Sequence, residues 1–241
     1  MGSEILKVRN LSISFKNKVL LENINFTLEK GKTLAITGES GVGKSLLSKA
    51  LVRLLDSDFN INADEFSFNG IEILKLSNDK LRELRSKIAL VLQDSESSLY
   101  PCLDIGKLCS LILKTHTNLN QKEYKKYVFS YFEKLGFDNL DLLWHSYPYE
   151  LSVGMARRAS LALALLHKPQ ILICDEVTAS LDAKNTQKII EILKELKKDI
   201  GLICITHDLY FIRSLADEVL VLEKERANFY TLNAFLGIYN A

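Results

Sequence analysis

This chain lacks an excess of either charge. Its 31 Lys and Arg residues almost cancel 30 Asp and Glu, leaving a formal net charge of +1. Such a balance gives no basic field for nucleic acid. The Lys-rich stretches 122–126 and 194–198 alternate with apolar residues at helical spacing and read as solvated helix faces. No apolar run approaches the roughly 18 residues that a membrane span requires. The N-terminus also has no long apolar core like that of a signal peptide. The expectation is a cytoplasmic chain that meets a membrane only through partners. Cysteine is sparse: Cys102, Cys109, Cys174 and Cys204 form no C-x-x-C pair, and no His-x-x-x-His accompanies them. Reduced thiols fit better than a zinc site or disulfides. Internal repeats and low-complexity linkers are missing too. What remains is 241 residues, 47% apolar and 25% charged, the balance of a globular domain with a buried core.

Strand-like runs are expected at 6–15, 20–28 and 33–37, followed by a helix over 44–55. Residues 66–74 read as two strand pieces broken by Asn69-Gly70, a hairpin signal. A helix at 80–87 leads to a buried strand, 88–92. Residues 94–150 differ in texture: a polar loop, then helical patterns at about 104–115 and 121–135. A helix then runs from Ser152 to His167, stopped by Lys168-Pro169. Strands at 171–174, 202–206 and 218–222 alternate with helices at 184–198 and 209–216. Such alternation predicts a parallel sheet with helices on its faces.

Two motifs carry chemistry. Gly38-Glu39-Ser40-Gly41-Val42-Gly43-Lys44-Ser45 fits G-x-x-x-x-G-K-[ST] in full, between an expected strand and helix. In such a loop, backbone N–H groups wrap phosphates at a helix N-terminus. Gly41 and Gly43 let the backbone approach closely, Lys44 neutralises the β/γ-phosphates and Ser45 can ligate Mg²⁺. The strand at 171–174 then ends in Asp175-Glu176. Asp175 suits Mg²⁺ held through water, and Glu176 suits orientation or deprotonation of the attacking water. A solvated acidic strand end is the alternative. His207 ends an apolar strand, where it faces the ligand crevice of an open α/β sheet and can contact the γ-phosphate. Gln93 ends another such strand and offers a carboxamide to Mg²⁺ or the water. Phe15 ends a strand upstream of the loop; it can stack on adenine or belong to the core. His116, His145 and His167 have no comparable setting. Together these features read as a nucleotide hydrolase.

With these motifs in this order, the chain resembles the ATP-binding subunit of an ABC transporter. The likeness rests on Walker A at 38–45, the Q-loop Gln93, the signature Leu151-Ser152-Val153-Gly154-Met155, Walker B at 171–176, the D-loop Ser180-Leu181-Asp182 and the switch His207. It implies an α/β fold, a P-loop NTPase of ABC type, with a mixed-sheet core, an antiparallel N-terminal β subdomain and a helical subdomain. One ABC ATPase domain would span 1–241, with its core at 1–93 and 168–241 and the helical subdomain at about 94–167. ATP and Mg²⁺ are the implied cofactors. Phe15 would meet adenine, and the run Gly38, Glu39, Ser40, Gly41, Val42, Gly43, Lys44, Ser45 and Leu46 the phosphates. Ser45, Gln93 and Asp175 would serve Mg²⁺, with Glu176, His207 and Lys44 catalytic. Ser152, Gly154 and Asp182 would meet nucleotide across a dimer interface.

Within the family the likeness is to peptide and nickel importers. It is carried by Gly-Glu-Ser-Gly-x-Gly-Lys-Ser, the segment from Gln93-Asp94 through Ser97-Ser98-Leu99-Tyr100-Pro101, Tyr147-Pro148-Tyr149-Glu150, and Met155. The chain ends at Ala241 without the cysteine-containing extension usual in oligopeptide and dipeptide members, so the expectation leans to the nickel or metal-chelate branch. Two positions depart from the family pattern: Val153 replaces the first signature Gly, and Val177 replaces the Pro after the Walker B Glu. The implied partners are a second, different ATPase chain, two membrane permeases and, indirectly, an extracytoplasmic solute-binding protein, with no nucleic acid. The implied place is the cytoplasmic face of the inner membrane. The rivals are an exporter ATPase and a non-transport ABC ATPase; the latter would need a long coiled coil, or a second ATPase half with basic segments. A kinase or GTPase is disfavoured by the signature segment and by the lack of Asn-Lys-x-Asp. Intact Glu176 and His207 argue against a non-enzymatic regulator.

Overall fold

Alternation of apolar and polar side chains makes two long strands at the start of the chain. β1 (Glu4–Phe15) and β2 (Lys18–Glu29) pair antiparallel, with irregularities that bend the ribbon. The computed structural model describes residues 3–94, 99–179, 181–224 and 226–239. The other edge of β1 takes β4 (Phe59–Asn62) and β5 (Glu65–Phe68), and β6 (Ile71–Glu72) pairs with β5. Asn69 and Gly70 both have positive φ, 48° and 76°, which gives the expected tight hairpin.

The second sheet has the order β11-β10-β3-β9-β8-β7 among the described residues. It is formed by β3 (Thr33–Gly38), β7 (Ile88–Val91), β8 (Ile171–Asp175), β9 (Gly201–Ile205), β10 (Glu218–Glu223) and β11 (Arg226–Thr231). All neighbours run parallel except β11, which returns antiparallel beside β10. The central strands are nearly continuous apolar runs because both faces are covered. Ile171, Ile173, Ile203 and Ile205 pack toward the antiparallel sheet, α1 (Lys44–Leu51) and α2 (Asn78–Arg85). Leu172, Cys174, Leu202 and Cys204 pack on the opposite side. There they meet α3 (Ile105–His116), α4 (Tyr124–Lys134), α5 (Leu140–His145), α6 (Val153–Leu165), α7 (Ala183–Lys197) and α8 (Leu209–Leu215). A final helix, α9 (Leu232–Tyr239), buries Phe235 against Ala35, Val219 and Val221.

Helix starts follow cap chemistry. The side chains of Asp104, Asn139, Ser152, Asp182 and Asp208 each accept a bond from a first-turn amide of α3, α5, α6, α7 and α8 respectively. Several expectations need correction. α1 ends at Leu51 rather than 55, because Val52 caps it and Arg53 turns left-handed at φ 50°. β4, α5, β11 and α9 lie outside the expected set; β4 and α5 are too short for periodicity to reveal. Lys197 is not on a solvated face: its ammonium lies 2.7 Å from Asp217 Oδ2 and donates to Leu215 O. No described helix is long and apolar enough to cross a membrane.

The parallel strands bring their C-terminal ends to one edge. There lie Gly38 after β3, Gln93 just beyond β7, Asp175 and Glu176 at the end of β8, and His207 just beyond β9.

Candidate nucleotide site

The glycine-rich loop leaves β3 at a point where only glycine fits. Gly38 has φ 143°, and a Cβ there would fall 2.1 Å from the carbonyl of Leu222 on β10. Gly41 has φ 80° and opens on free space, with nothing within 4 Å of an added Cβ. α1 then starts behind Gly43, which has no side chain to cap it, so its first amides remain for an anion. Lys44 is buried to 8% exposure and donates to the carbonyls of Gly38 and Glu39, each at 2.9 Å. The ammonium is thereby held across the loop it serves. Ser45 is exposed on the first turn, and Leu46 is half-buried against the core.

Asp175 lies next to this loop. It is 2% exposed, and Oδ1 is buried without a hydrogen-bond partner. Burial pushes its carboxyl above the ordinary range; a hydrogen bond from Ser45 opposes this, Glu176's charge adds to it, and Lys44 and Lys49 oppose it. A buried carboxylate oxygen lacking a donor, with a hydroxyl beside it, is the donor set of a hard divalent cation. The residues present therefore fit Mg²⁺.

Glu176 adopts φ 48°. Its amide donates to Ile205 O at 2.9 Å, and its carbonyl accepts from Ala179 N and from Arg157 Nη1, both at 3.0 Å. The carboxylate is 17% exposed and faces a cleft of about 470 Å³ shared with Thr178, Ala179, Thr206, His207, Asp208 and Leu209. His207 Nδ1 lies 3.6 Å from Glu176 Oε1, too far for a hydrogen bond. The ring is open to solvent, and the backbone beneath it is fixed by Asp208 N donating to Thr206 Oγ1 and by the Asp208 cap on α8. Glu176 and His207 thus form two walls of one cleft.

Gln93 is exposed, two residues past the end of β7. Ser97, Ser98 and the D-loop Ser180 lie outside the described residues. Phe15 is half-buried at the tip of β1; its ring lies 4.9 Å from Phe59 at 55°, with the Lys16 ammonium 5.3 Å from its centroid. Phe59, on the unexpected strand β4, gives that aromatic its packing partner.

The signature residues form a second cluster. Ser152 is exposed and spends its hydroxyl on Met155 N at 3.3 Å. Val153 is the first helical residue and is 48% exposed. It is not among the residues with positive φ, so the helix accepts it without strain. Gly154 faces Asn185: a Cβ would sit 3.6 Å from that amide carbon. Asn185 in turn donates from Nδ2 to Asp182 Oδ2 at 2.8 Å. Bonds from Asn185, backbone first, hold the Asp182 carboxyl below the ordinary range. Among the described residues, no hydrogen bond or ion pair joins this cluster to the loop at 38–45. Val177 is 2% exposed and fills the core beside Cys174, so that departure is a packing choice. Sequence reasoning missed Arg157, Asn185 and Phe59. Only Arg157 gave a signal, as a cation inside an apolar helix.

Residues 21–179 match the family model described as ABC transporter. The metal-staphylopine import system ATP-binding protein CntD of Staphylococcus aureus (strain NCTC 8325 / PS 47) is 36% identical over 224 residues, covering 91% of this chain and 82% of that protein. The oligopeptide transport ATP-binding protein OppD of Bacillus subtilis (strain 168) is 35% identical over 228 residues, covering 91% of this chain and 64% of that protein. Among solved structures, cbiO1 from Clostridium perfringens, described as part of the ABC transporter complex cbiONQ, has a TM-score of 0.83 at 26% identity. It covers 98% of this chain and 91% of its own.

Proposed function

The chain belongs to the ABC transporter family, and from that premise we propose that it hydrolyses ATP to drive import of a metal chelate or a di- or oligopeptide. It is an importer-type ABC ATPase by its relatives, which are named for metal-staphylopine import and for oligopeptide transport. The observation that carries the chemistry is the buried, donorless oxygen of Asp175 beside Ser45, within a site that also holds Lys44 and Glu176.

In this reading the amides of 38–46 wrap the triphosphate, and Phe15 meets the base. Lys44 exchanges its two loop carbonyls for phosphate oxygens. Ser45, Asp175 and Gln93 are the residues that would hold Mg²⁺, which when bound neutralises charge on the phosphates. Glu176 orients a water in the cleft and takes its proton, while His207, on the opposite wall, contacts the γ-phosphate. Ser152, Gly154 and Asp182 point to a nucleotide held by a second ATPase chain. The exposure of Ser152 and Asp182, and their separate cluster with Gly154, support that assignment. Residues 94–167 serve as a helical subdomain that, with Gln93, docks two membrane permeases. A solute-binding protein selects the cargo on the far side, and this chain works on the cytoplasmic face.

The test is E176Q. Turnover is expected to vanish while ATP binding persists; normal hydrolysis by that variant would remove Glu176 from the mechanism. Uptake of radioactive nickel against a labelled dipeptide, in a strain lacking this chain, separates the two cargo classes.

A further inference from the structure

Arg157 takes no part in the catalytic roles assigned above, yet it is a buried cation beside the site. It lies on α6, one turn after Gly154, and is 5% exposed. A guanidinium keeps its charge at any depth in a protein, so burial demands acceptors. Two of them belong to one short turn: Nη1 donates to Glu176 O at 3.0 Å, and Nη2 to Ala179 O at 3.5 Å. The turn is closed by Ala179 N donating to Glu176 O at 3.0 Å, and its middle residues, Val177 and Thr178, are buried. Glu176 itself stands in the left-handed region at φ 48°. A non-glycine residue stays there only when its surroundings impose it. The bond from Glu176 N to Ile205 O fixes the turn from the β9 side. Arg157 fixes it from the helix that begins with Ser152.

We propose that Arg157 is a positioning residue for ATP hydrolysis. Its forked head holds the Glu176–Ala179 turn, and with it the direction of the Glu176 carboxylate. The same side chain ties that carboxylate to the head of α6, the part offered to the second nucleotide. The inference rests on Glu176 being the group that activates water. Arg157 does not touch substrate; it acts through the main chain of Glu176. A planar fork on two carbonyls tolerates little sliding. A shift of the helix head is therefore passed to the carboxylate, which links the two nucleotide sites inside one chain.

The experiment measures ATP turnover and nucleotide affinity of the full chain, assembled with its transporter subunits, for R157M, R157K and E176Q. R157M keeps most of the volume and removes the bonds to Glu176 O and Ala179 O. R157K keeps the charge, but a single ammonium cannot reproduce the fork. For R157M, kcat is expected to fall about 100-fold, the size of a misplaced catalytic group. KM and the affinity for ATP should stay within about threefold of the unsubstituted chain. R157K should fall between the two, and R157M on top of E176Q should lose nothing further, since both act on one step. Loss of ATP affinity in step with kcat would make Arg157 a scaffold residue and overturn the proposal. So would normal turnover by R157M and R157K beside an inactive E176Q. Normal turnover by E176Q would instead overturn the reading of Glu176 itself. If R157M does not fold, R157K alone decides, by the same split between kcat and affinity.

Discussion

Asp175 is placed where its charge opposes folding and serves binding. Burial raises its carboxyl above the ordinary 3.8, so the folded chain holds that proton more tightly than the unfolded chain does. This group therefore weakens the fold as pH rises past 3.8 and through its raised folded-state pKa. D175N removes the charge and keeps the shape. Without nucleotide its Tm at pH 7 is expected to rise. With Mg²⁺ and ATP the variant should lose the extra stabilisation that the unsubstituted chain gains. A Tm that falls without nucleotide would contradict this account. The residues of this site were legible from the sequence because their chemistry depends on type and spacing: glycines, one lysine and adjacent carboxylates. Arg157 was not, because its partners Glu176 and Ala179 lie on another element and are main-chain atoms, which carry no residue signature.

α6 has two separable roles, visible in how its residues are buried. Its body packs Ala156, Ala159, Leu161 and Ala162 into the core, while its head leaves Ser152 and Val153 exposed. Since Val153 is helical and open to solvent, its bulk acts outward, on whatever faces the head. V153G is expected to leave the fold nearly unchanged, with a loss on the order of 1 kcal/mol or less from the glycine. If the chain pairs with a second ATPase as proposed, V153G should raise turnover at that partner's nucleotide site. Single-site turnover checks this, and an unchanged rate at the partner's site would show that Val153 does not act there. Elements with long apolar or alternating runs, such as β1, β3, β8 and α7, were legible. β4, α5, β11 and α9 were not: β4 and α5 are short, β11 forms along β10, and α9 buries Phe235 against Ala35, Val219 and Val221.

At the scale of the molecule, the parallel sheet is laced to its helices by one carboxylate. Asp217 accepts from Thr33 N and meets the Lys197 ammonium, each at 2.7 Å, with Lys32 at 3.7 Å. β3, α7 and the start of β10 are joined there. D217N keeps one acceptor and loses the charge; a half-buried charged network of this kind contributes about 1.5–3 kcal/mol. Its Tm is expected to drop by roughly 4 °C or more, with little change in ATP affinity. An unchanged melting curve would show that the network is dispensable. The strand that carries the phosphate loop has another consequence. β3 lies between β9 and β10, pairing Thr33 with Leu202 and Leu34 with Glu218, and Gly38 abuts the carbonyl of Leu222. On a ribosome, the loop is made well before its two supporting neighbours. At about 5–20 residues per second, that is a wait on the order of 10–30 s. The nascent chain therefore carries a nucleotide loop without its flanking strands until β9 and β10 have been made.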